Sequence, residues 1–236
     1  TSSIKPTHAL KQSRVKQKML TSVPGRETSA GSDAIVLFDL GNVVIDWLPL
    51  RLYRKIFATE EEAKAFCRDV CDMDWHVEHD RGRTFAEGAR LLKQDYPQYS
   101  DEIDAWHERW FEMFDGYVTG VPALIARLEE AQLPLFALSN MSAEIWPETV
   151  ERFPMLKLFR DVVVSGEEKL IKPDPAIYEL AHQRMGQPEK ASVFFIDDSL
   201  KNVEAAREFG FRAHHFTGAA TLEAALLEEG LLQPAA

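Results

Sequence analysis

Carboxylate, hydroxyl and amide side chains recur in this sequence directly after short apolar runs. They are Asp39 after residues 35–38, Ser139 and Asn140 after residues 135–138, and Asp197 and Asp198 after residues 193–196. Oxygen ligands suit Mg²⁺, which proteins usually hold with one or two carboxylates and a substrate phosphate. A carboxylate can also attack phosphorus and form an aspartyl-phosphate that water hydrolyses. These residue types indicate phosphoryl chemistry assisted by Mg²⁺, whereas Asp39 taken alone is also compatible with the polar end of a buried strand.

The apolar runs have the length of buried strands, and helical patterns separate them. The runs cover residues 35–38, 135–138, 162–164, 193–196 and 211–216. This alternation predicts an α/β fold with a Rossmann-like parallel sheet and helices on both faces. Ligands of such sheets bind at the carboxyl ends of the strands. We therefore expect the strand-end residues to meet at one edge, joined by Lys172 from the loop after residues 162–164.

Residues 48–118 interrupt the alternation of strands and helices. They contain no comparable strand pattern, and their apolar residues recur at the three- and four-residue spacing of amphipathic helices. The spacing predicts an inserted helical cap domain of about four helices, with a polar loop at residues 79–83. The core domain would then comprise residues 33–47 and 119–236, and residues 1–32 would be a flexible basic extension.

The charge of the chain is unevenly distributed. Residues 1–32 contain six bases and one acid, although the whole chain has a net charge of −11. The remaining acidic body argues against nucleic acid as the main partner, because it offers no basic surface for phosphates. The basic stretch lacks the apolar segment of a signal peptide. Three interpretations remain, namely a flexible extension, an upstream stretch before a start at Met19, or a transit peptide.

Neither apolar runs nor cysteines point to a membrane or an oxidising compartment. The sequence has no apolar stretch near the roughly 18 residues that span a bilayer. Cys67 and Cys71 lie four residues apart without His or Cys neighbours, which favours reduced thiols over a zinc site. Reduced thiols favour the cytoplasm. We expect a cytoplasmic monomer or homodimer with no membrane contact.

Four motifs together resemble the haloacid dehalogenase superfamily of aspartate-nucleophile hydrolases. They are FDLGNV at 38–43, ALSN at 137–140, IKPDPAIY at 171–178 and FFIDDSLKNVEAA at 194–206. Residues 48–118 match the cap that such enzymes insert after the first strand. Within the superfamily, the motifs look most similar to the bacterial alpha-glucose-1-phosphate phosphatase subgroup. The resemblance implies a hydrolase that forms a covalent intermediate on an aspartate.

The resemblance also implies the metal site. Asp39 would be both the nucleophile and a Mg²⁺ ligand, and Gly41 would offer its backbone carbonyl to the same ion. Asp198 would bind Mg²⁺, with Asp197 beside it.

Other motif residues would hold the phosphate. The resemblance implies that Ser139 and Asn140 bind phosphate. It also implies that Lys172 stabilises the negative charge on the pentavalent phosphorus. Asn202 falls where many members of the superfamily carry a further acid that holds the lysine or the metal's waters.

Gly41 departs from the pattern of most phosphatases in the superfamily, which carry a second Asp there as the general acid. The cap residues His76, His79, Asp80 and Arg81 are candidates to replace it, and His79 and Arg81 are also expected to contact substrate. A sugar 1-phosphate offers another explanation. Its leaving group is a hemiacetal hydroxyl, which needs less protonation than a simple alcohol.

Three functions remain compatible with these residues. The first is a Mg²⁺-dependent phosphatase acting on a small phosphomonoester, with a sugar phosphate as a candidate substrate, through an aspartyl-phosphate. The second is a 2-haloacid dehalogenase-type hydrolase that uses the same Asp without metal, against which the acidic pair Asp197 and Asp198 argues. The third is a catalytically weak phosphate-binding module, which the missing acid at Gly41 suggests.

Overall fold

A computed structural model describes residues 33–234, which form seven strands and eleven α-helices. The strands are β1 Ile35–Phe38, β2 Ile45–Trp47, β3 Phe114–Tyr117, β4 Leu135–Ser139, β5 Val162–Val164, β6 Val193–Asp197 and β7 Arg212–His215. The helices are α1 Leu50–Tyr53, α2 Glu60–Asp69, α3 Met73–Asp80, α4 Phe85–Asp95, α5 Ser100–Glu108, α6 Val121–Glu130, α7 Trp146–Arg152, α8 Ser165–Glu168, α9 Pro175–Arg184, α10 Leu200–Phe209 and α11 Ala219–Glu228. The short 3₁₀ helices are Pro97–Tyr99, Trp110–Met113, Pro154–Leu158 and Lys190–Ser192.

Five strands form one parallel sheet in the order β5-β4-β1-β6-β7. Val36 at its centre lies level with Leu135 on one side and Phe194 on the other. Every residue of β1 and β6 is buried, because apolar clusters cover the two faces of the sheet. The predicted α/β fold class is confirmed, and each predicted apolar run lies on one of these strands.

Local sequence signals set the helices that follow the strands. Asp174 is the N-cap of α9, where its side chain accepts a hydrogen bond of 2.9 Å from the Ala176 amide and Pro175 begins the helix. Helix α10, which precedes β7, ends at Gly210, whose φ of 109° is the left-handed conformation favoured by glycine. The Asp174 cap fixes where the loop at the carboxyl edge of the sheet ends, and the Gly210 cap fixes where α10 turns into the start of β7.

Helices α1–α5, hereafter the cap, lie between β2 and β3 in the chain and share an apolar cluster, which also includes Met141, Ile145 and Val164 of the core. The two flanking strands pair with each other as an antiparallel ribbon, with Trp47 opposite Phe114. The chain thus enters and leaves the cap through neighbouring strands.

The expectation of a purely helical stretch at 48–118 is wrong at its end. Helix α5 stops at Glu108, a 3₁₀ turn follows, and Phe114–Tyr117 forms β3. The three- and four-residue spacing that suggested a helix through Phe114 arises because Trp110 and Phe114 both face apolar neighbours. Phe114 packs against Phe153 with ring centroids 5.4 Å apart, and this tertiary contact with strand pairing overrides local propensity. The cap also contains five α-helices rather than about four.

The predicted basic extension at 1–32 lies outside the described residues. Between residues 33 and 234, no helix has both the length and the apolar character that crossing a bilayer requires.

Candidate active site

Asp39 leaves the carboxyl end of the central strand β1. Its amide donates a hydrogen bond of 2.8 Å to the Ile196 carbonyl, which extends the sheet pairing by one residue. Its Oδ1 accepts a hydrogen bond of 2.7 Å from the Leu40 amide. The residue is 7% exposed, and within residues 33–234 no hydrogen bond reaches Oδ2. Oδ2 is therefore the oxygen of Asp39 that remains available to a ligand.

Lys172 bridges two of the strand-end carboxylates. Its Nζ lies 2.9 Å from Asp39 Oδ1 and donates a hydrogen bond of 2.6 Å to Asp197 Oδ2. Burial alone would lower the pKa of Lys172, but the adjacent Asp197 and Asp39 carboxylates more than offset it and the pKa is raised. The ammonium therefore stays charged at neutral pH, fixed between the two aspartates.

Asn140 holds the backbone of the loop that carries this lysine. Its Oδ1 accepts a hydrogen bond of 2.8 Å from the Lys172 amide, and its Nδ2 donates one of 3.1 Å to the Lys172 carbonyl. Both polar atoms of the amide are thus used inside the protein. The observed contacts make Asn140 a positioning residue for Lys172, whereas the prediction that it binds phosphate stays a prediction.

Asp197 is fully buried and heavily hydrogen-bonded. Besides Lys172, its carboxylate accepts bonds from the Ser199 amide at 2.8 Å and from Asn202 Nδ2, which lies 3.1 Å from each of its oxygens. Asn202 thus stabilises the aspartate beside Lys172, at the position where many relatives were expected to have another acid. Lys172 has two anionic partners, Asp39 and Asp197, and Asn202 adds no further charge beside them.

Asp39, Asp197 and Asp198 form a cluster suited to a divalent cation. One oxygen from each lies within 4.8 Å of the others. Burial raises the pKa of Asp39 from 3.8 to about 7; Lys172 opposes this, and Asp197 and Asp198 add to it. The pKa of Asp198 is also raised by burial and by Asp197. The raised pKa values show that burial and mutual repulsion disfavour the charged form of these carboxylates. A hard cation that prefers oxygen ligands would stabilise the charged form. The donor set fits Mg²⁺.

A cavity of about 480 Å³ opens over Asp39, between the cap and the carboxyl edge of the sheet. Asp39, Asn140 and Lys172 line its core side, and His76 and Arg81 line its cap side. A smaller inner recess of about 60 Å³ continues from it past Gly41 to Ser139. Other cap-side residues of this recess are Trp47, His76, Asp80 and Trp110. Four predicted site residues, Asp39, Ser139, Asn140 and Lys172, therefore border a chamber that the cap closes, whereas Asp197 and Asp198 do not line it.

His79 does not reach this chamber, contrary to its expected contact with substrate. The ring is fully buried inside the cap, stacked on Phe85 with centroids 4.6 Å apart and edge-on to Trp75 at 4.5 Å. Its Nδ1 pairs with the Arg83 carbonyl at 3.2 Å. Gly88 leaves room for the ring, because a Cβ there would lie 2.1 Å from His79 Cε1. His79 is a packing residue of the cap, whereas Arg81 does line the cavity mouth.

His76 and Asp80 lie one helical turn apart on α3 and face the chamber together. His76 Nε2 is 3.5 Å from Asp80 Oδ2, and both residues are about 5% exposed. Burial lowers the pKa of His76 from 6.5 to about 3 and raises the pKa of Asp80 from 3.8 to about 8. Both groups are therefore neutral at pH 7, and their contact is a neutral pair rather than a salt bridge.

Sequence reasoning missed two residues of the site. Trp47 lines both the cavity and the inner recess, yet its position in an apolar stretch does not distinguish it from a core tryptophan. Ser165 follows β5 directly, so the strand-end rule that found Asp39 could have found it. Its hydroxyl donates a hydrogen bond of 2.7 Å to the Asp80 carbonyl, which joins the core to the cap.

Comparison with known proteins identifies the class to which this fold and site belong. The pattern of the haloacid dehalogenase-like hydrolases matches residues 34–210. The chain belongs to this family of hydrolases, as its motifs predicted.

Among curated proteins, similarity extends to two kinds of hydrolase. The chain is 29% identical over 181 residues to a phosphorylated carbohydrates phosphatase of Thermotoga maritima, covering 74% of this chain and 81% of that protein. It is 33% identical over 87 residues to an (S)-2-haloacid dehalogenase of Pseudomonas putida, covering 37% of this chain and 38% of that enzyme.

Solved structures of the same fold include a complex with magnesium and inorganic phosphate and a haloacid dehalogenase. A haloacid dehalogenase family enzyme of Bacteroides thetaiotaomicron, in complex with magnesium and inorganic phosphate, is 23% identical with a TM-score of 0.61, covering 78% of this chain and 94% of that one. The L-2-haloacid dehalogenase of Xanthobacter autotrophicus is 16% identical with a TM-score of 0.57, covering 85% and 84%. At these identities the likeness concerns the fold alone.

Proposed function

We propose that this hydrolase is a Mg²⁺-dependent phosphatase that cleaves a small phosphomonoester through an aspartyl-phosphate. The observation that carries the proposal is the ammonium of Lys172 held between Asp39 and Asp197, with Asp198 within reach of the same cation site. A phosphate dianion needs positive charge around it, and Lys172 with a divalent cation supplies that charge next to a carboxylate nucleophile.

The side chains divide the reaction between them. Asp39 Oδ2 attacks phosphorus, while Oδ1 stays fixed by the Leu40 amide and Lys172. Lys172 holds phosphoryl oxygens beside Asp39 and stabilises the charge that they gain in the transition state. Ser139, which is 1% exposed at the end of β4 and lines the inner recess, offers a hydroxyl to the same group. Water then hydrolyses the aspartyl-phosphate and restores Asp39.

The metal would be held by Asp39 and Asp198, with Asp197 behind them and the Gly41 carbonyl as a further ligand. The turn after β1 is closed by bonds from Asn42 N to Ile45 O and from Ile45 N to Leu40 O, neither of which uses that carbonyl. When bound, Mg²⁺ neutralises the crowded carboxylates and the charge of the phosphoryl group. The pairing of Asp197 with Lys172 and Asn202 makes Asp39 and Asp198 the freer donors.

A sugar phosphate is the substrate class that the chamber favours. Trp47 Nε1, Trp110 Nε1 and His76 Nδ1 are buried around the inner recess without a hydrogen-bond partner among the residues that the structure describes. An indole N–H can only donate, so each such group gains by pairing with a hydroxyl oxygen of the ligand. The phosphatase from Thermotoga maritima is named for phosphorylated carbohydrates, which supports the same class.

A 2-haloacid dehalogenase is the second candidate, because part of the chain is similar to such enzymes. Displacement of halide by an aspartate carboxylate, which forms an aspartyl ester that water hydrolyses, needs no cation. The cluster of Asp39, Asp197 and Asp198 argues against this candidate, since placing three carboxylates together, two of them buried, without a cation raises the pKa values of Asp39 and Asp198.

The test is a screen of phosphate release from sugar phosphates with Mg²⁺ and with a chelator. We expect release that depends on Mg²⁺ and is abolished by Asp39→Asn. Asp115→Asn is the matched control, because Asp115 is an exposed residue of β3. Chloride release from a 2-haloacid in the presence of chelator would instead establish the dehalogenase. Unchanged phosphate release by Asp39→Asn would remove Asp39 from the mechanism.

A further inference from the structure

Gly41 leaves the core without an acid where a leaving group would depart. A Cβ built on Gly41 meets nothing within 4 Å, so the space beside Asp39 is open rather than filled by a neighbour. Gly41 lines both the main cavity and the inner recess. A proton donor for this space must therefore come from the opposite wall, which is the cap.

Asp80 is the acid on that wall. It lines both the cavity and the recess together with Gly41, and it is 5% exposed. Its Oδ1 is buried and has no hydrogen-bond partner within the described part of the chain. A buried oxygen without a partner is costly unless a ligand pairs with it, which marks Oδ1 as an atom built to meet substrate.

The surroundings of Asp80 keep it protonated and in place. His76 approaches Oδ2 at 3.5 Å, and its ring packs against both Trp47 and Trp110 at centroid distances of 5.1 and 5.7 Å. The charged groups that face Asp80 across the cavity are Lys172 and Asp39, whose effects on its pKa oppose each other. Burial dominates, so the carboxyl group holds its proton at neutral pH.

We propose that Asp80 of the cap is the general acid that protonates the leaving-group oxygen, in place of an acid at position 41. The inference rests on the proposed phosphatase function. It assigns the cap a chemical step in addition to closing the site.

The proton balance of the reaction closes with this assignment. As Asp39 Oδ2 forms a bond to phosphorus, the bond from phosphorus to the ester oxygen breaks, and that oxygen takes its electron pair and the proton of Asp80. The product alcohol leaves, and Asp80 is now a carboxylate. Water then hydrolyses the aspartyl-phosphate, which frees Asp39, and Asp80 regains its proton from the phosphate product after that step.

The experiment compares two phosphomonoesters that differ in leaving group. One is p-nitrophenyl phosphate, whose phenolate leaves without help, and the other is a sugar 6-phosphate, whose primary alcohol needs a proton. In Asp80→Asn we expect kcat for the sugar phosphate to fall by about 10²-fold or more, while kcat for p-nitrophenyl phosphate changes by less than about fivefold. Asn is isosteric with the neutral carboxyl group, so the fold should be retained.

Two further variants sharpen the test. Asp95→Asn removes an exposed acid of the cap at the end of α4, remote from the chamber, and should leave both rates unchanged. Gly41→Asp in the Asp80→Asn background puts an acid into the open space beside Asp39. It should restore at least about tenfold of the lost rate on the sugar phosphate.

The outcomes separate this inference from the proposed function. No phosphate release by the unmodified protein from either ester would overturn the phosphatase itself, and the role of Asp80 with it. Release that Asp80→Asn leaves unchanged, or lowers equally for both esters, would overturn only the role of Asp80.

The unmodified protein provides a check that needs no variant, because a cap-supplied proton predicts similar kcat values for the two esters. A kcat for the sugar phosphate far below that for p-nitrophenyl phosphate would contradict the role of Asp80.

Discussion

The hydroxyl of Ser165 in the core donates a hydrogen bond of 2.7 Å to the backbone carbonyl of Asp80 in the cap, and both residues are buried. The same hydroxyl accepts a bond of 2.9 Å from the Met141 amide, next to the strand-end residues Ser139 and Asn140. One side chain thus links the last residue of α3 to the loop after β4. The position of Asp80 over the chamber is therefore fixed from the core.

Loss of this link should weaken both stability and catalysis. Ser165→Ala leaves the Asp80 carbonyl and the Met141 amide without their partner, which we expect to lower the free energy of unfolding by about 1–3 kcal/mol. Phosphate release should fall as Asp80 loses its anchor. Thr149→Val is the control, since Thr149 is equally buried but bonds only within its own helix to the Ile145 carbonyl. It should cost stability without a comparable loss of kcat, measured at saturating substrate.

Removing the central ammonium should destabilise the core. Lys172→Met leaves Asp39 and Asp197 buried together without their shared cation, and we expect the free energy of unfolding to fall by about 3 kcal/mol or more. Chemical denaturation in the presence of chelator measures this directly. Lys201→Met removes an exposed lysine and should change it little. If adding Asp197→Asn to Lys172→Met recovers no stability, buried charge repulsion is not the cause.

The free energy of unfolding should fall as the pH rises, because Asp80 is protonated in the folded protein. Its pKa is raised by burial to about 8 in the folded protein from an ordinary value of 3.8. Between these values the unfolded chain loses the proton while the folded protein keeps it, so raising the pH favours unfolding. The loss begins above about pH 4 and levels off above about pH 8.

Denaturation curves of the unmodified protein and Asp80→Asn at several pH values isolate this contribution. Asp39, whose pKa is also raised by burial, has an effect of the same sign and remains in both proteins. We expect the variant to show a shallower fall between about pH 5 and pH 8. Parallel curves would show that Asp80 ionises normally in the folded state.

Two glycines at the edge of the site should differ in how far an added methyl group destabilises the protein. A Cβ on Gly166 would lie 2.5 Å from the Ala143 amide nitrogen and 2.8 Å from the Met141 carbonyl oxygen, both backbone atoms. Gly166→Ala should therefore lower the free energy of unfolding by about 1–3 kcal/mol. Gly41→Ala meets nothing and should leave it within about 0.5 kcal/mol, as thermal denaturation can show. Equal effects would indicate that the loop after β4 adjusts freely.

The strands were predictable because they are buried on both faces. Residues 35–38 and 193–196 are continuous apolar runs, a pattern that requires a covered sheet whatever the rest of the chain does. Once the strands are parallel, their ends must share an edge, so Asp39, Lys172 and Asp197 could be expected together. This part of the site follows from topology alone.

The cap side could not be predicted in the same way, because helical spacing does not specify what a helix packs against. His76 and His79 both lie on α3, yet the first faces the chamber and the second lies inside the cap. Gly88 leaves the room that the His79 ring occupies inside the cap, and helical spacing does not reveal this contact. The strand Phe114–Tyr117 was missed for a similar reason, since its pairing with β2 involves residues 67 or more positions earlier in the chain.

The ribbon of β2 and β3 makes the cap a separable insert. Because Trp47 and Phe114 are paired, the points where the chain leaves and rejoins the core are already side by side. A different helical block could be spliced between them without moving either strand, and the sheet with Asp39, Lys172 and Asp197 would be unchanged. Exchange of that block would then replace the walls of the chamber and, with Asp80, its source of protons. One genetic event could alter substrate choice and acid catalysis together while the nucleophile stays where it is.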